Sequence, residues 1–298
     1  MTNLQNICVF APAKINLFLH LTGRRNDGYH TLQSLIAFAD IGDVIDIEPA
    51  DHFDFSIEGP FAQNLEREEA HLDNNLVVKA AQGLAEIVDR ELDVHIRLTK
   101  NLPVAAGLGG GSTDAAASIW GLQKYWGLSR DTPYLWPLLT KLGADVPMCL
   151  RASAQIVEGI GEELREAPLM SEVPILLVNP LHTCSTQDVF LRSSSKVYKN
   201  NIDVPAGFSS VFEIINFLQS CDNDLYDSAI TLLPEIKNVM AALETQKECL
   251  FARMSGSGAS CFGLFENMSE AKKSAKVIAK DNPDWWVKTA WLNRPERY

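Results

Sequence analysis

The sequence predicts an α+β protein built in two halves, and three observations carry that prediction. Strand-like and helix-like segments follow one another irregularly, without the strict alternation of a βαβ series. At 298 residues and 46% hydrophobic content the chain is long enough to bury two cores. A polar stretch from Arg165 to Ser171 separates the halves, giving expected domains of residues 1–167 and 168–298.

In the first half, Ile7 to Leu21, Leu32 to Phe38, Val44 to Glu48 and Phe53 to Glu58 read as strands. The last shows apolar side chains at alternate positions in Phe53-Asp-Phe-Ser-Ile57. A helix opens at Asn74 or Asn75 and runs through Val88, and Asp93 to Thr99 reads as a strand. Asp114 to Trp126 is a helix with Ile119, Leu122 and Trp126 on one face, and Ser112 or Thr113 can cap its first turn. A further helix from Tyr134 to Leu142 leads into Gly143-Ala-Asp-Val-Pro147, where the proline points to a following strand. In the second half, Pro174 to Val178, Leu250 to Met254, Ser260 to Phe265 and Trp286 to Leu292 read as strands. Helices are expected at Gln187 to Arg192, Val211 to Leu218, Leu225 to Leu232, Glu235 to Leu243 and Glu270 to Ala279.

Composition narrows the function. A net charge of −12 with no run rich in Lys and Arg argues against nucleic-acid binding. The longest apolar runs, such as Ile175 to Val178, are far too short to cross a bilayer, and Met1 to Asn6 carry no basic leader region. Cys8, Cys149, Cys184, Cys221, Cys249 and Cys261 form no C-x-x-C pair and have no His at metal spacing. The expectation is a cytoplasmic protein with reduced thiols, no disulfide, no zinc, and no membrane or nucleic-acid partner.

The run Pro103-Val104-Ala105-Ala106-Gly107-Leu108-Gly109-Gly110-Gly111-Ser112-Thr113 lies between a strand and a helix. Residues without Cβ let successive N–H groups turn toward one anion, and the following helix adds about half a positive charge at its start. A linker has neither flank, so the run reads as a phosphate cradle. No G-K-[ST] follows it and its spacing is not G-x-G-x-x-G, so any lysine on the phosphates comes from elsewhere.

Lys14 and Asn16 are two apart on an apolar strand and share a face, where the lysine either snorkels to solvent or reaches an anion. Asp145 is either a turn residue or a carboxylate that orients a hydroxyl nucleophile. The turn Met254-Ser-Gly-Ser-Gly-Ala-Ser260 is a tight hairpin or a second wall of a shared cleft. Tyr29 and His30 follow the turn Gly23 to Gly28 and either pack at the base of that loop or offer a ligand a stacking face, a donor and an acceptor. Thr186 and Phe190 are four apart at a helix start, so two rings are available to sandwich a planar base.

Taken in order, A-P-A-K-I-N, P-V-A-A-G-L-G-G-G-S-T and S-G-S-G-A-S resemble the three motifs of the GHMP kinase superfamily over nearly the whole chain. Gly23 to Leu32 and Leu142 to Pro147 resemble, more narrowly, the branch serving the non-mevalonate isoprenoid route. The resemblance implies an N-terminal domain like the second domain of ribosomal protein S5, a ferredoxin-like C-terminal domain and an active site between them. It implies transfer of the γ-phosphoryl group of ATP, with Mg²⁺, to the 2-hydroxyl of 4-diphosphocytidyl-2-C-methyl-D-erythritol, a small molecule with a cytidine diphosphate group.

The same resemblance makes Asp145 the base and Lys14 the stabiliser of charge, and puts residues 103–113 on the ATP phosphates with Asn75 and Lys100 toward the adenine. Tyr29 and Phe190 would sandwich cytosine and His30 would read its edge. Asn16, Thr186, Gly256, Ser257 and Gly258 would hold the rest of the substrate, in a monomer or homodimer. Ser112-Thr113 departs from the usual residues after the glycines but keeps hydroxyls, and His182 to Phe190 matches the branch only in its Thr and Phe. Another kinase of the superfamily, acting on homoserine, mevalonate or a sugar, and a silent nucleotide-binding regulator stay open as alternatives.

Overall fold

From Ala11 to Leu21 every residue of the first strand is buried, so both of its faces are covered. The computed structural model describes residues 6–68, 72–130, 133–193 and 197–293; Met1 to Gln5, part of the segment read for a leader, lie outside them. In chain order the first half comprises β1 (Ile7–Arg24), β2 (His30–Pro49), β3 (Asp54–Glu58), α1 (Ala62–Glu68), α2 (Leu76–Val88), β4 (Val94–Thr99) and α3 (Gly110–Trp126). After these come α4 (Trp136–Leu142), α5 (Val146–Arg151), β5 (Gln155–Glu158) and β6 (Glu163–Glu166). The second half comprises β7 (Leu169–Met170), β8 (Val173–Asn179), α6 (Thr186–Arg192), β9 (Gly207–Phe208), α7 (Val211–Leu218), α8 (Tyr226–Leu232) and α9 (Glu235–Glu244). It ends with β10 (Phe251–Met254), β11 (Cys261–Leu264), α10 (Met268–Asp281) and β12 (Trp286–Leu292).

Strand β2 organises the sheet. It pairs antiparallel with β1 along nearly its whole length, with β5 at Ser34 to Ile36, with β4 at Val44 to Pro49, and with β12 through Ala39 and Leu292. From β12 the sheet continues through β8 and β11 to β10, so strands of both expected halves share one ten-stranded sheet. The expected boundary at 167/168 falls between β6 and β7, in a chain whose halves are joined by hydrogen bonds.

Three apolar clusters follow from this layout. Val9 and Ala11 pack with α2 and α3, while Ala13, Ile15, Leu17 and Phe18 pack with Val173, Ile175, Phe262, Leu292 and helix α7. Leu19 and Leu21 pack with α8, α9 and α10. Each fully buried Ile or Leu contributes about 1.5–3 kcal/mol, so β1 is anchored along its length and the side chains it carries toward a cleft are held rigidly.

Four expectations need correction. Leu32 to Phe38 and Val44 to Glu48 belong to one strand, because β2 continues through a register shift opposite Pro12 and Ala13. Helix α3 starts inside the glycine run at Gly110, with Gly109 as its N-cap; Ser112 and Thr113 lie within the helix and cap nothing. Thr113 Oγ1 instead donates back to Gly110 O at 2.9 Å. After Asp145 comes helix α5 and no strand, since proline in the first turn of a helix gives up an N–H that has no partner there.

Candidate active site

A cleft of about 1100 Å³ joins β1, the glycine run, the start of α5, the β1–β2 turn, α6 and the turn after β10. On its floor Lys14 Nζ donates to Asp145 Oδ2 at 2.6 Å, with the lysine side chain 7% exposed and that of the aspartate 40% exposed. The lysine stays inside, and the turn aspartate meets it across 131 positions of chain.

The glycine run is fastened to the same strand. Lys14 N donates to Leu108 O at 2.8 Å. Gly109 takes φ of 65°, and a Cβ there would lie 3.0 Å from Lys14 Cβ and Cε. Only a residue without a side chain allows α3 to begin so close to the lysine. Gly109 offers no side chain to cap α3, and among the described residues no side chain takes its place, so the first turn presents its amides beside the Lys14–Asp145 pair.

At the other end His30 opens β2 and is buried, while Tyr29 stands 63% exposed at the rim. The His30 ring lies 5.8 Å from that of Phe190, tilted by 37°. Burial, aided by the Arg24 guanidinium, lowers the His30 pKa and keeps the imidazole neutral; its Nε2 is buried without a partner among the described residues. Thr186 Oγ1 and Ser257 Oγ hydrogen-bond at 2.8 Å, tying α6 to the second glycine turn. Asn16 Nδ2 donates to Ser34 Oγ at 2.9 Å, and its buried Oδ1 has no partner among the described residues. Unpaired buried polar atoms are costly, and these two, on Asn16 and His30, both belong to residues that line the cleft.

The cleft is lined by most of the residues expected there. Leu108 is packed in the core, Thr113 is inside α3, and Gly258 is packed on Met254 and Ile236, so these three lie off it. Asn75 caps α2, accepting from Val77 N at 2.8 Å.

Known families bear on this arrangement. Residues 75–153 match the GHMP kinases N terminal domain and residues 211–283 the GHMP kinases C terminal domain. The chain is 42% identical over 297 residues to the 4-diphosphocytidyl-2-C-methyl-D-erythritol kinase of Roseobacter denitrificans, covering 97% of this chain and 94% of that one. It is 43% identical to the enzyme of the same name from Brucella melitensis, covering 96% and 97%. The chain belongs to the 4-diphosphocytidyl-2-C-methyl-D-erythritol kinase family. A crystal structure of 4-(cytidine 5'-diphospho)-2C-methyl-D-erythritol kinase superposes with a TM-score of 0.76 at 29% identity, covering 97% of this chain and all of the other. Homoserine kinase from Cytophaga hutchinsonii, at 17% identity and a TM-score of 0.71, shares the fold. This GHMP kinase is accordingly an ATP-dependent small-molecule kinase with the expected two-domain α+β fold.

Beneath the cradle the kinase carries a charged triad. Lys100 Nζ donates to Asp43 Oδ2 at 2.6 Å and to Asp114 Oδ2 at 2.7 Å, and all three side chains are at most 3% exposed. Asp43 Oδ1 also accepts from Asn101 N and Leu102 N, so the triad holds both ends of the glycine run. Lys100, expected toward the adenine, lines the cleft and gives two of its three donors to this triad. Burial alone would lower its pKa, but Asp114 and Asp43 outweigh that and raise it. Asp114 is also raised, by burial and by Asp43 against the pull of Lys100, and its Oδ1 has no partner among the described residues.

A carboxyl whose folded-state pKa lies above its unfolded value contributes stability that is full below the unfolded value and declines as pH rises through the folded one. Asp114→Asn removes that decline. The thermal midpoint of the variant relative to the native protein is expected to be more favourable near about pH 8 than near about pH 5, and equal offsets at both would show Asp114 to be ionised throughout.

Proposed function

We propose that this chain transfers the γ-phosphoryl group of ATP to the 2-hydroxyl of 4-diphosphocytidyl-2-C-methyl-D-erythritol, with Asp145 as general base and Lys14 as stabiliser of the developing charge. The observation that carries the reading is the Lys14–Asp145 pair set against the uncapped start of α3, with the His30 and Phe190 rings lining the same cleft. Asp145 accepts the hydroxyl proton as its oxygen attacks phosphorus. Lys14 keeps the carboxylate in place and offsets negative charge on the transferring group. The amides at the start of α3 hold the phosphates, so the chain's task is mostly alignment and charge neutralisation.

Tyr29 and Phe190 are proposed to hold the cytosine, with neutral His30 reading its edge, and Asn16, Thr186, Gly256 and Ser257 holding the remainder of the substrate. Asn75 lies toward the adenine in this reading. Mg²⁺ takes hard oxygen donors, and the Ser112 hydroxyl on the cleft would offer it one when phosphates are bound. Bound there, it would neutralise phosphate charge. We place the boundary of the two domains at 167/168 and the enzyme in the cytoplasm as a monomer or homodimer; among the described residues no helix is long and apolar enough to cross a membrane.

A coupled ADP-release assay decides the substrate. ADP is expected with the diphosphocytidyl substrate and Mg²⁺, and not with homoserine, mevalonate or galactose. Release with one of those and none with the cytidyl compound would overturn the assignment. A silent nucleotide-binding regulator has no need of a buried lysine held on a half-exposed carboxylate, and it would release ADP with none of them.

A further inference from the structure

Ser255 lies outside the cleft lining and is fully buried, yet it touches each of the three sequence motifs. Its Oγ accepts from Asn16 N on β1 at 3.1 Å and donates to Gly107 O in the glycine run at 2.9 Å. Its own backbone belongs to the second glycine turn, where Ser255 N donates to Ser260 O at 2.9 Å and Ser260 N donates to Ala106 O at 3.0 Å. Gly107 is packed so closely here that a Cβ would lie 2.4 Å from Ser255 O and 2.8 Å from Gly258 O. Asn223 braces the turn from behind, its Nδ2 donating to Met254 O and Gly256 O, both at 2.8 Å.

We propose that Ser255 is a positioning residue that sets the distance between the acceptor side of the reaction and the phosphate cradle. The inference rests on the reading above, in which Lys14 and Asn16 serve the acceptor and the glycine run serves ATP. One hydroxyl joins the strand carrying the first pair to the loop forming the second. Asn16 pairs with Ile36 at the last position before β1 becomes irregular, between Asn16 and Phe18, and the serine adds a second bond to the strand at that point. Phosphoryl transfer is sensitive to alignment, and displacement of about 1 Å costs up to roughly 10²-fold in rate.

The test is steady-state kinetics of Ser255→Ala and Ser255→Cys with ATP and the diphosphocytidyl substrate. Thermal unfolding and calorimetric titration with ATP count the folded, binding-competent sites. For Ser255→Ala, kcat per competent site is expected to fall by roughly 10- to 100-fold, while both KM values change by less than about 3-fold. Ser255→Cys, which keeps the volume with a weaker hydrogen-bonding group, is expected between the alanine variant and the native enzyme. Unchanged kcat per competent site, or a loss matching only the unfolded fraction, would reduce Ser255 to a structural role and overturn the proposal. If the alanine variant does not fold, the cysteine variant is judged by the same criteria. Absence of phosphorylated product from the native enzyme would count against the substrate assignment and leaves a separate signature, because it precedes any comparison of variants.

Discussion

Asp145→Asn is expected to reduce turnover by roughly 10²-fold or more while ATP affinity stays nearly unchanged. The substitution keeps the shape of the side chain and an oxygen that accepts from Lys14, but removes the basic site that takes the hydroxyl proton. Asp145 is 40% exposed and its amide replacement still accepts from Lys14, so the buried ammonium keeps a partner and the protein remains folded. The amides at the start of α3 belong to a separate element and are untouched by the change. Calorimetry with ATP and an ADP-release assay on the same preparation separate the two effects. Turnover within a factor of about three of native would remove Asp145 from proton transfer, and Lys14 would then act on phosphate alone.

What was legible in the sequence was whatever a short stretch of chain encodes by itself. Glycine enrichment before a helix, lysine and asparagine two apart on a strand, and aspartate between glycine and proline each mark a place where ordinary packing rules are broken locally. What was illegible depends on elements meeting across long separations. The Lys100 triad joins residues 57 and 14 positions apart, and no local pattern distinguishes Asp43 or Asp114 from surface carboxylates. Ser255 meets Asn16 across 239 positions.

The misplaced start of α3 has a different cause. Ser and Thr favour the N-cap by side-chain chemistry, but here the close approach to Lys14 and a left-handed backbone at 109 decide the cap, and both favour glycine. Likewise Pro147 suits a strand start and the first turn of a helix equally, and only the packing of Val146 and Met148 into the first core resolves the choice.

Two adjacent glycines at the start of α3 are expected to fail in different ways when replaced by valine. At Gly111 a Cβ would meet only Leu76 Cδ1, at 3.7 Å, so the free protein accommodates it. Its methyl groups then occupy the cleft in front of the first-turn amides and bar the phosphates, so ATP affinity is expected to fall by roughly 100-fold or more with little change in thermal midpoint. At Gly110 the Cβ would lie 2.9 Å from Lys100 Nζ and 3.5 Å from Asp43 Oδ2, on the buried side. Lys100 Nζ is held in place by both Asp43 and Asp114, so Gly110→Val presses on a buried charge network and destabilises the fold by about 3 kcal/mol or more. The run thus serves two purposes: one glycine leaves space for a ligand and its neighbour leaves space for the protein's own charges. Calorimetry and thermal unfolding on both variants distinguish them. Native ATP affinity in Gly111→Val would place the phosphates elsewhere than the start of α3, and native stability in Gly110→Val would mean that the triad yields more readily than its burial implies.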